Sequence, residues 1–347
     1  MNLIEDYTKL DPSGVEIALT LFPEQIKTTF EQAINTDIPK MEFNAVLISG
    51  MGGSSNAAKM LEGIYESDFK VPFDIDIHND YDLPIWVNNK TLMIANSYSG
   101  NTEETLTGLA EAKQRGCQIL AITTGGKLAE LVRSGEIYGV IVDPQKTNPT
   151  GFPKTGLGIS FGALFGTLTK VGLLNIKKED IFNDLDELIE IRKKWNVKEN
   201  AQWIHYSIPV LLGGRPFLGA LNAGRNAMCE ISRNFTMFFD FPEVNHVLVE
   251  ATQKPLDAKK IKYLFFESKF NHDRVKLRYK ITKKLFEEQG LETATYELKT
   301  STVLSQSLEL AHYCAWIGFY LSILDDTDPG PEPWIIKLKE SLSQPQY

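Results

Sequence analysis

Two stretches of small polar residues carry the right atoms for chemistry. The first, GMGGSSNA (residues 50–57), sets Gly52 and Gly53 directly before Ser54 and Ser55. The second, NSYSGNTEE (96–104), offers Ser97, Ser99 and Thr102 around Gly100. Glycines bring backbone N–H groups close to a guest, and hydroxyls add donors. At the start of a helix, where those N–H groups lack internal partners and the dipole is positive, the combination suits a phosphate or similar dianion. Thr102 is also expected to cap the helix that follows. Either stretch alone reads as an ordinary capped turn. Two of them at neighbouring strand ends favour an anion site. Neither completes a nucleotide motif: there is no GxxxxGK[ST], and GMGGSSNA lacks the third glycine and the acidic partner of a dinucleotide fingerprint.

A third stretch, GRNAMCEISRNFTMFFDFPEVNHVLVE (224–250), supplies titratable groups, with Glu230 sixteen residues before His246. Among Ala227, Met228, Cys229 and Ile231 the Glu230 carboxylate is expected to be partly desolvated. Its pKa then rises toward neutrality, where it can move a proton between adjacent carbons. An imidazole titrates in the same range and can pass a proton between oxygens. Taken singly, a glutamate in a helix is a solvated charge and a histidine a structural residue. Glu243 either orients His246 or is a turn residue. Lys339 alone reads as a solvated amine near the chain end. His78, His205, His272 and His312 have no comparable context.

These residues need a scaffold, and the apolar pattern supplies one. Short runs at 45–50, 73–78, 91–97, 119–124 and 138–143 read as strands, separated by helical segments at 55–64, 102–115 and 127–134. Such alternation predicts a parallel sheet with helices on both faces. The first forty residues are expected to be helical, with PEQIKTTFEQAI amphipathic, and two more helices are expected at 156–173 and 179–195. A second round begins at 207. Strands are expected at 207–214, 262–269 and in TATYELK, with a helix over 271–290 capped by Asn271 and stopped by Gly290, and a long apolar helix over 302–324. The expectation is an α/β chain of two similar three-layer, flavodoxin-like units, 1–195 and 196–347, joined near IRKKWNVKEN.

The chain has 347 residues, 43% hydrophobic and 23% charged, which is ordinary globular material. A net charge of −9 argues against general nucleic-acid or membrane-surface binding. Cys117, Cys229 and Cys314 show no CxxC spacing and are expected to be buried small hydrophobes in a reducing compartment. No apolar stretch spans a bilayer and MNLIEDYTKLDPSG is not a signal peptide, so a cytoplasmic protein is expected.

GMGGSSNAAK followed by YDLPIWVNNKTLMIANSYSGNTEETL resembles the sugar-isomerase (SIS) domain, whose serine- and threonine-rich loops hold a sugar phosphate. The resemblance implies phosphate contacts from Gly52, Gly53, Ser54, Ser97, Ser99 and Thr102. Glu230 with PEVNH at this spacing, and DDTDPGPEPWIIKLKESL (325–342), are similar to the bifunctional phosphoglucose/phosphomannose isomerase branch. That similarity runs from LDPSG to the last helix. It implies two SIS domains and an aldose–ketose isomerase of glucose 6-phosphate, fructose 6-phosphate and mannose 6-phosphate. Glu230 is then the base, His246 opens the ring from the second subunit of a homodimer, and Lys339 lies at the active site. No cofactor or metal is implied, and no Cys/His ligand spacing calls for one. The alternatives are a non-catalytic sugar-phosphate sensor or an SIS isomerase of another sugar phosphate. Isomerisation coupled to amination is a third, for which no glutaminase-like segment precedes the glycine stretch.

Three positions depart from the branch. Lys154, in GFPKTGLG, stands where an arginine stabilises the enediolate. It keeps the charge and loses the planar pair of donors, so charge stabilisation with weaker orientation is expected. Val247 replaces the usual asparagine after the histidine, and ISRNFTMFFD replaces a more polar, lysine-containing run.

Overall fold

The computed structural model describes residues 7, 9–68, 75–252, 254 and 260–342. Helices α1 (Val15–Thr20) and α2 (Phe22–Asn35) precede a five-stranded sheet of β1 (Ala45–Ser49), β2 (Ile75–His78), β3 (Thr91–Asn96), β4 (Gln118–Thr123) and β5 (Tyr138–Ile141). Its strands are interleaved with α3 (Gly52–Asp68), α4 (Glu103–Gln114) and α5 (Gly126–Arg133). A 3₁₀ turn (Pro153–Thr155), α6 (Leu157–Lys170), α7 (Lys178–Arg192) and α8 (Val197–Ile204) lead to the second sheet. That sheet contains β6 (Ile208–Gly214), β7 (Met237–Phe241), β8 (Ile261–Glu267) and β9 (Glu292–Glu297), with α9 (Leu218–Ser232), α10 (Val244–Val247) and α11 (Asp273–Glu288) between them. Helices α12 (Val303–Leu324) and α13 (Pro333–Leu342) follow.

The first sheet has the order β2-β1-β3-β4-β5 and the second β7-β6-β8-β9, and every pairing is parallel. In each sheet the first strand of the half lies inside, flanked by the second and third. This is the flavodoxin-like order, with one strand fewer in the second sheet.

Strand periodicity assigns the faces. Val46 and Ile48 of β1, with Leu92 and Ile94 of β3, enter a core that continues through Phe161 and Phe165 of α6 and Leu310 and Phe319 of α12 to Leu211 and Leu264 of the second sheet. The intervening Leu47, Met93 and Ala95 pack outward with Leu109 and Leu128. On the far side of the second sheet, Val210, Leu212 and Phe265 pack with Tyr279 and Phe286. Parallel strands are covered on both faces, so their sequences read as unbroken apolar runs.

Central helices α3 and α9 meet through glycines. A Cβ on Gly219 would lie 2.0 Å from the Lys59 carbonyl oxygen, and one on Gly63 would lie 2.0 Å from that of Pro216. Only a hydrogen at these two positions lets the backbones come so close. This contact brings the helix after β1 of the first sheet against the helix after β6 of the second.

Several details correct the sequence reading. His272, not Asn271, caps α11: its Nδ1 accepts the Arg274 N–H at 3.1 Å, while Asn271 accepts from Tyr279 Oη at 3.4 Å. Cys314 is buried, but Cys117 and Cys229 are only half-buried. Strand β7 and helices α8 and α10 are additional to the expected elements, although Val197, Ala201 and Ile204 of α8 share one buried helical face. Residues 73 and 74 of the expected second strand lie outside the described residues, as do residues 1–6 and 8 of the amino-terminal stretch.

Candidate active site

Strands β1 and β3 are hydrogen-bonded neighbours, with Ser49 opposite Ala95, so the two glycine- and hydroxyl-rich stretches leave the carboxyl edge of the sheet side by side. Gly52 opens α3 with a φ of +52°, which a side chain would strain, and Gly53 follows it in the first turn. Ser54 is buried. Its Oγ accepts the Tyr98 N–H at 3.2 Å, and its carbonyl accepts from Asn96 Nδ2 at 3.0 Å. These bonds stitch the two loops together and leave the Ser54 hydroxyl proton to donate.

Thr102 occupies the N-cap position of α4 but makes no capping bond. Its Oγ1 lies 2.7 Å from Ser97 Oγ, which also accepts the Gly100 N–H at 3.1 Å. The expected cap is thus replaced by a hydroxyl pair, which retains one O–H for an anion. Ser99 is exposed between them, its Oγ accepting the Asn101 N–H at 3.3 Å.

The same loop positions Lys154. Asn148 Nδ2 donates to Tyr98 Oη at 2.8 Å and to the Phe152 carbonyl at 2.9 Å, and Thr155 Oγ1 donates to Asn148 Oδ1 at 2.8 Å. From below, buried Gln25 of α2 donates to the carbonyls of Thr147 and Thr155 at 3.0 and 2.9 Å. The Lys154 side chain is 1% exposed, and its Nζ donates to the Glu230 carbonyl oxygen at 3.1 Å. Burial pushes this ammonium below the usual lysine range, while Glu332 and Glu230 pull it back.

Glu230 lies in the last turn of α9, which is tied to α3 by Asn222 and Asn226, both donating to Asn56 Oδ1 at 2.6 and 3.1 Å. Asn56 follows Ser55 directly, so one helix connects the hydroxyl cradle with the glutamate. The Glu230 carboxyl is pushed up to about 7. Burial is the largest cause and the Glu332 carboxylate the next, opposed by Lys154, Arg225 and Lys339. A carboxyl poised there both accepts and returns a proton at neutral pH.

The chain therefore brings together Glu230, Lys154 and Lys339, beside the loops that carry Gly52, Gly53, Ser54, Ser97, Ser99 and Thr102. His246 lies on α10, exposed, with its N–H bonded to the Glu243 carbonyl at 2.8 Å. Two charged residues near the site escaped the sequence reading. Arg225 donates to Asn222 Oδ1 at 2.7 Å and stacks over Phe238, 5.6 Å from its ring centre. Glu332 lies 3.8 Å from Lys154 Nζ. Its signal was a carboxylate between two prolines, in a run read only for its lysine.

Among the described residues no cluster of three or more histidine, cysteine, aspartate or glutamate side chains could hold a metal ion, and no helix is long and apolar enough to cross a membrane.

A family model described as the bacterial phospho-glucose isomerase C-terminal SIS domain matches residues 194–342. A bifunctional phosphoglucose/phosphomannose isomerase of Caldicellulosiruptor bescii is 30% identical over 341 residues, covering 93% of this chain and 97% of the relative. One from Aquifex aeolicus is 33% identical over 309 residues, covering 87% and 91%. The solved C-terminal domain of glucosamine-fructose-6-phosphate aminotransferase from Francisella tularensis superposes with a TM-score of 0.65 over 90% of this chain and 97% of that one. At 14% identity, that match shows a shared fold.

Proposed function

The chain belongs to the bifunctional phosphoglucose/phosphomannose isomerases, and on that premise we propose how its own residues carry out the reaction. It interconverts glucose 6-phosphate and mannose 6-phosphate with fructose 6-phosphate. The substrate phosphate docks on Gly52, Gly53, Ser54, Ser97, Ser99 and Thr102, where backbone N–H groups, hydroxyl protons and the positive end of α3 face it. The sugar chain then runs along the α3–α9 contact toward Glu230.

His246, with Lys339, opens the ring by moving a proton from O1 to the ring oxygen. Ionised Glu230 takes the proton from C2 of the open aldose and returns it to C1. The O2 proton passes to O1, so that the C1 aldehyde becomes an alcohol and the C2 alcohol a ketone, through an enediol. Configuration at C2 is lost in that planar intermediate, so one intermediate leads to both aldoses. The Lys154 ammonium stabilises negative charge on the enediolate.

His246 of the partner subunit completes the site in a homodimer. Two features support this reading. His246 is exposed, and α13 carries Lys339 with exposed Trp334, Ile336, Leu338 and Leu342. The unit over 1–195 holds the cradle and the unit over 196–347 holds Glu230 and His246. Unbridged cysteines fit a reducing, cytoplasmic setting.

The observation that carries this reading is the half-buried Glu230 carboxyl, pushed up to about 7, on a helix that is bonded to the cradle helix and whose Glu230 carbonyl holds the Lys154 ammonium. A coupled assay with fructose 6-phosphate on the wild type and Glu230→Gln tests it. The wild type is expected to form both aldose phosphates and the variant neither. A variant that still turns over removes Glu230 from the mechanism, and a wild type that binds without turnover makes the protein a sensor.

A further inference from the structure

We propose that Glu332 is a second carboxylate of the active site, a positioning residue that anchors the Lys154 ammonium beside Glu230. This rests on the reading of Glu230 as the base.

The segment that carries Glu332 is held in place at both ends. Helix α12 ends at Leu324, and the chain turns back with the Thr327 N–H bonded to the Ser322 carbonyl at 2.9 Å. Arg233, three residues beyond Glu230, donates to the carbonyls of Asp328 and Pro331 at 3.0 and 2.7 Å. The Gly330 N–H closes onto Asp328 Oδ1 at 2.8 Å. Beyond Glu332 its carbonyl accepts the Ile336 N–H at 3.0 Å, which starts α13. The end of α9 thus clamps this strap so that the Glu332 side chain, 18% exposed, faces the buried Lys154 ammonium at 3.8 Å.

One ammonium therefore lies between two carboxyl-bearing residues. It donates to the Glu230 main chain and pairs with the Glu332 carboxylate. An arginine could serve both with its forked donors; a lysine presents one small charge that must be placed. Glu332 does the placing. Its own charge acts on Glu230 in the same direction, since a like charge nearby disfavours ionisation. The charged groups that face Glu230 are Lys154 from the 3₁₀ turn, Arg225 from α9, Glu332 from the strap and Lys339 from α13. Arg233 and Asp328 act on Lys154. Glu332 is the nearby carboxylate that opposes those cations at Glu230.

The test is the pH profile of kcat/KM with fructose 6-phosphate for the wild type, Glu332→Gln, Glu332→Ala and Glu230→Gln. Neutralising Glu332 is expected to shift the acid limb down by about one pH unit. It is also expected to reduce kcat on the plateau several-fold, because Lys154 loses its anchor. Glu332→Asp, which keeps the charge, is expected to restore most of the limb. Both neutral variants are checked for native unfolding curves, so a poorly folded Gln variant leaves the Ala variant to decide. An acid limb unmoved in a folded neutral variant, with Glu230→Gln inactive, overturns the proposal and leaves the base in place. A Glu230→Gln enzyme with the wild-type limb overturns both.

Discussion

Lys154 and Glu230 are joined through the main chain: the Lys154 ammonium donates to the Glu230 carbonyl oxygen at 3.1 Å, with the lysine side chain 1% exposed. The cation is therefore fixed relative to the helix that carries the base and does not depend on the protonation of the Glu230 carboxyl. Such a preorganised charge needs no reorganisation when negative charge develops on the substrate. Lys154→Met, similar in shape and uncharged, is expected to lower kcat by roughly 100-fold or more with a smaller change in KM. Steady-state kinetics with fructose 6-phosphate measure it, and unchanged turnover removes Lys154 from the mechanism.

The Glu230 carboxyl also leaves a signature in stability. Its folded pKa of about 7 lies above the ordinary 4.5, so the native chain binds this proton more tightly than the unfolded chain does. Between those values the native state holds a proton the unfolded state has lost, and stability falls as pH rises through the window. The loss is complete above about pH 7 and amounts to about 3 kcal/mol at most. Glu230→Gln removes the titration. It is expected to be more stable than the wild type at pH 8, with the difference shrinking toward pH 5. Urea unfolding at the two pH values measures this, and equal differences at both contradict the assigned burial.

The hydroxyl pair of Ser97 and Thr102 offers a separate test of the phosphate site. Thr102→Val keeps the shape and removes one hydroxyl of the pair, 2.7 Å apart. A hydrogen bond to a charged group is worth about 1.5–3 kcal/mol, so roughly a ten- to hundredfold rise in KM is expected. Inorganic phosphate, as a competitive inhibitor, is expected to weaken in parallel while kcat changes less. A phosphate inhibition constant equal to that of the wild type places the phosphate elsewhere.

Most of the scaffold was legible because strand and helix periods differ so clearly. The centres of runs such as TLMIAN and QILAIT are apolar at every position because both faces of a parallel sheet are covered. Strand β7 was hidden because MFFDF sits at the sheet edge, where only Phe241 is fully buried. The cradle was visible as residue types, but the Ser97–Thr102 pairing that displaces the expected cap depends on loop geometry. Glu230 could be singled out for its apolar neighbours. Arg225 and Glu332 could not, because their importance comes from the α3–α9 contact and the strap beside it, which join segments far apart in sequence. The Asn271 cap failed because the adjacent histidine can accept the same kind of bond.

Subunit exchange addresses His246. If the imidazole reaches the site of a neighbouring copy, two inactive variants restore one another. Mixing His246→Ala with Glu230→Gln under exchange conditions places both native groups in one of the two sites of a mixed dimer. Activity is expected to reappear in the mixture and to be absent from either variant alone. A mixture that exchanges subunits, as shown by mass spectrometry, and stays inactive places His246 and Glu230 in the same chain's site or removes one of them from catalysis.

The central claim is that the Glu230 carboxylate moves the proton between C1 and C2. Its most direct test is deuterium exchange, followed by NMR, when glucose 6-phosphate and fructose 6-phosphate are incubated in heavy water with the wild type or Glu230→Gln. The wild type is expected to wash label into C2 of the aldose and C1 of the ketose. The variant is expected to lose exchange and isomerisation together, by a factor on the order of 10²–10⁴, while inorganic phosphate still binds. Exchange at the wild-type rate in the folded variant contradicts the account.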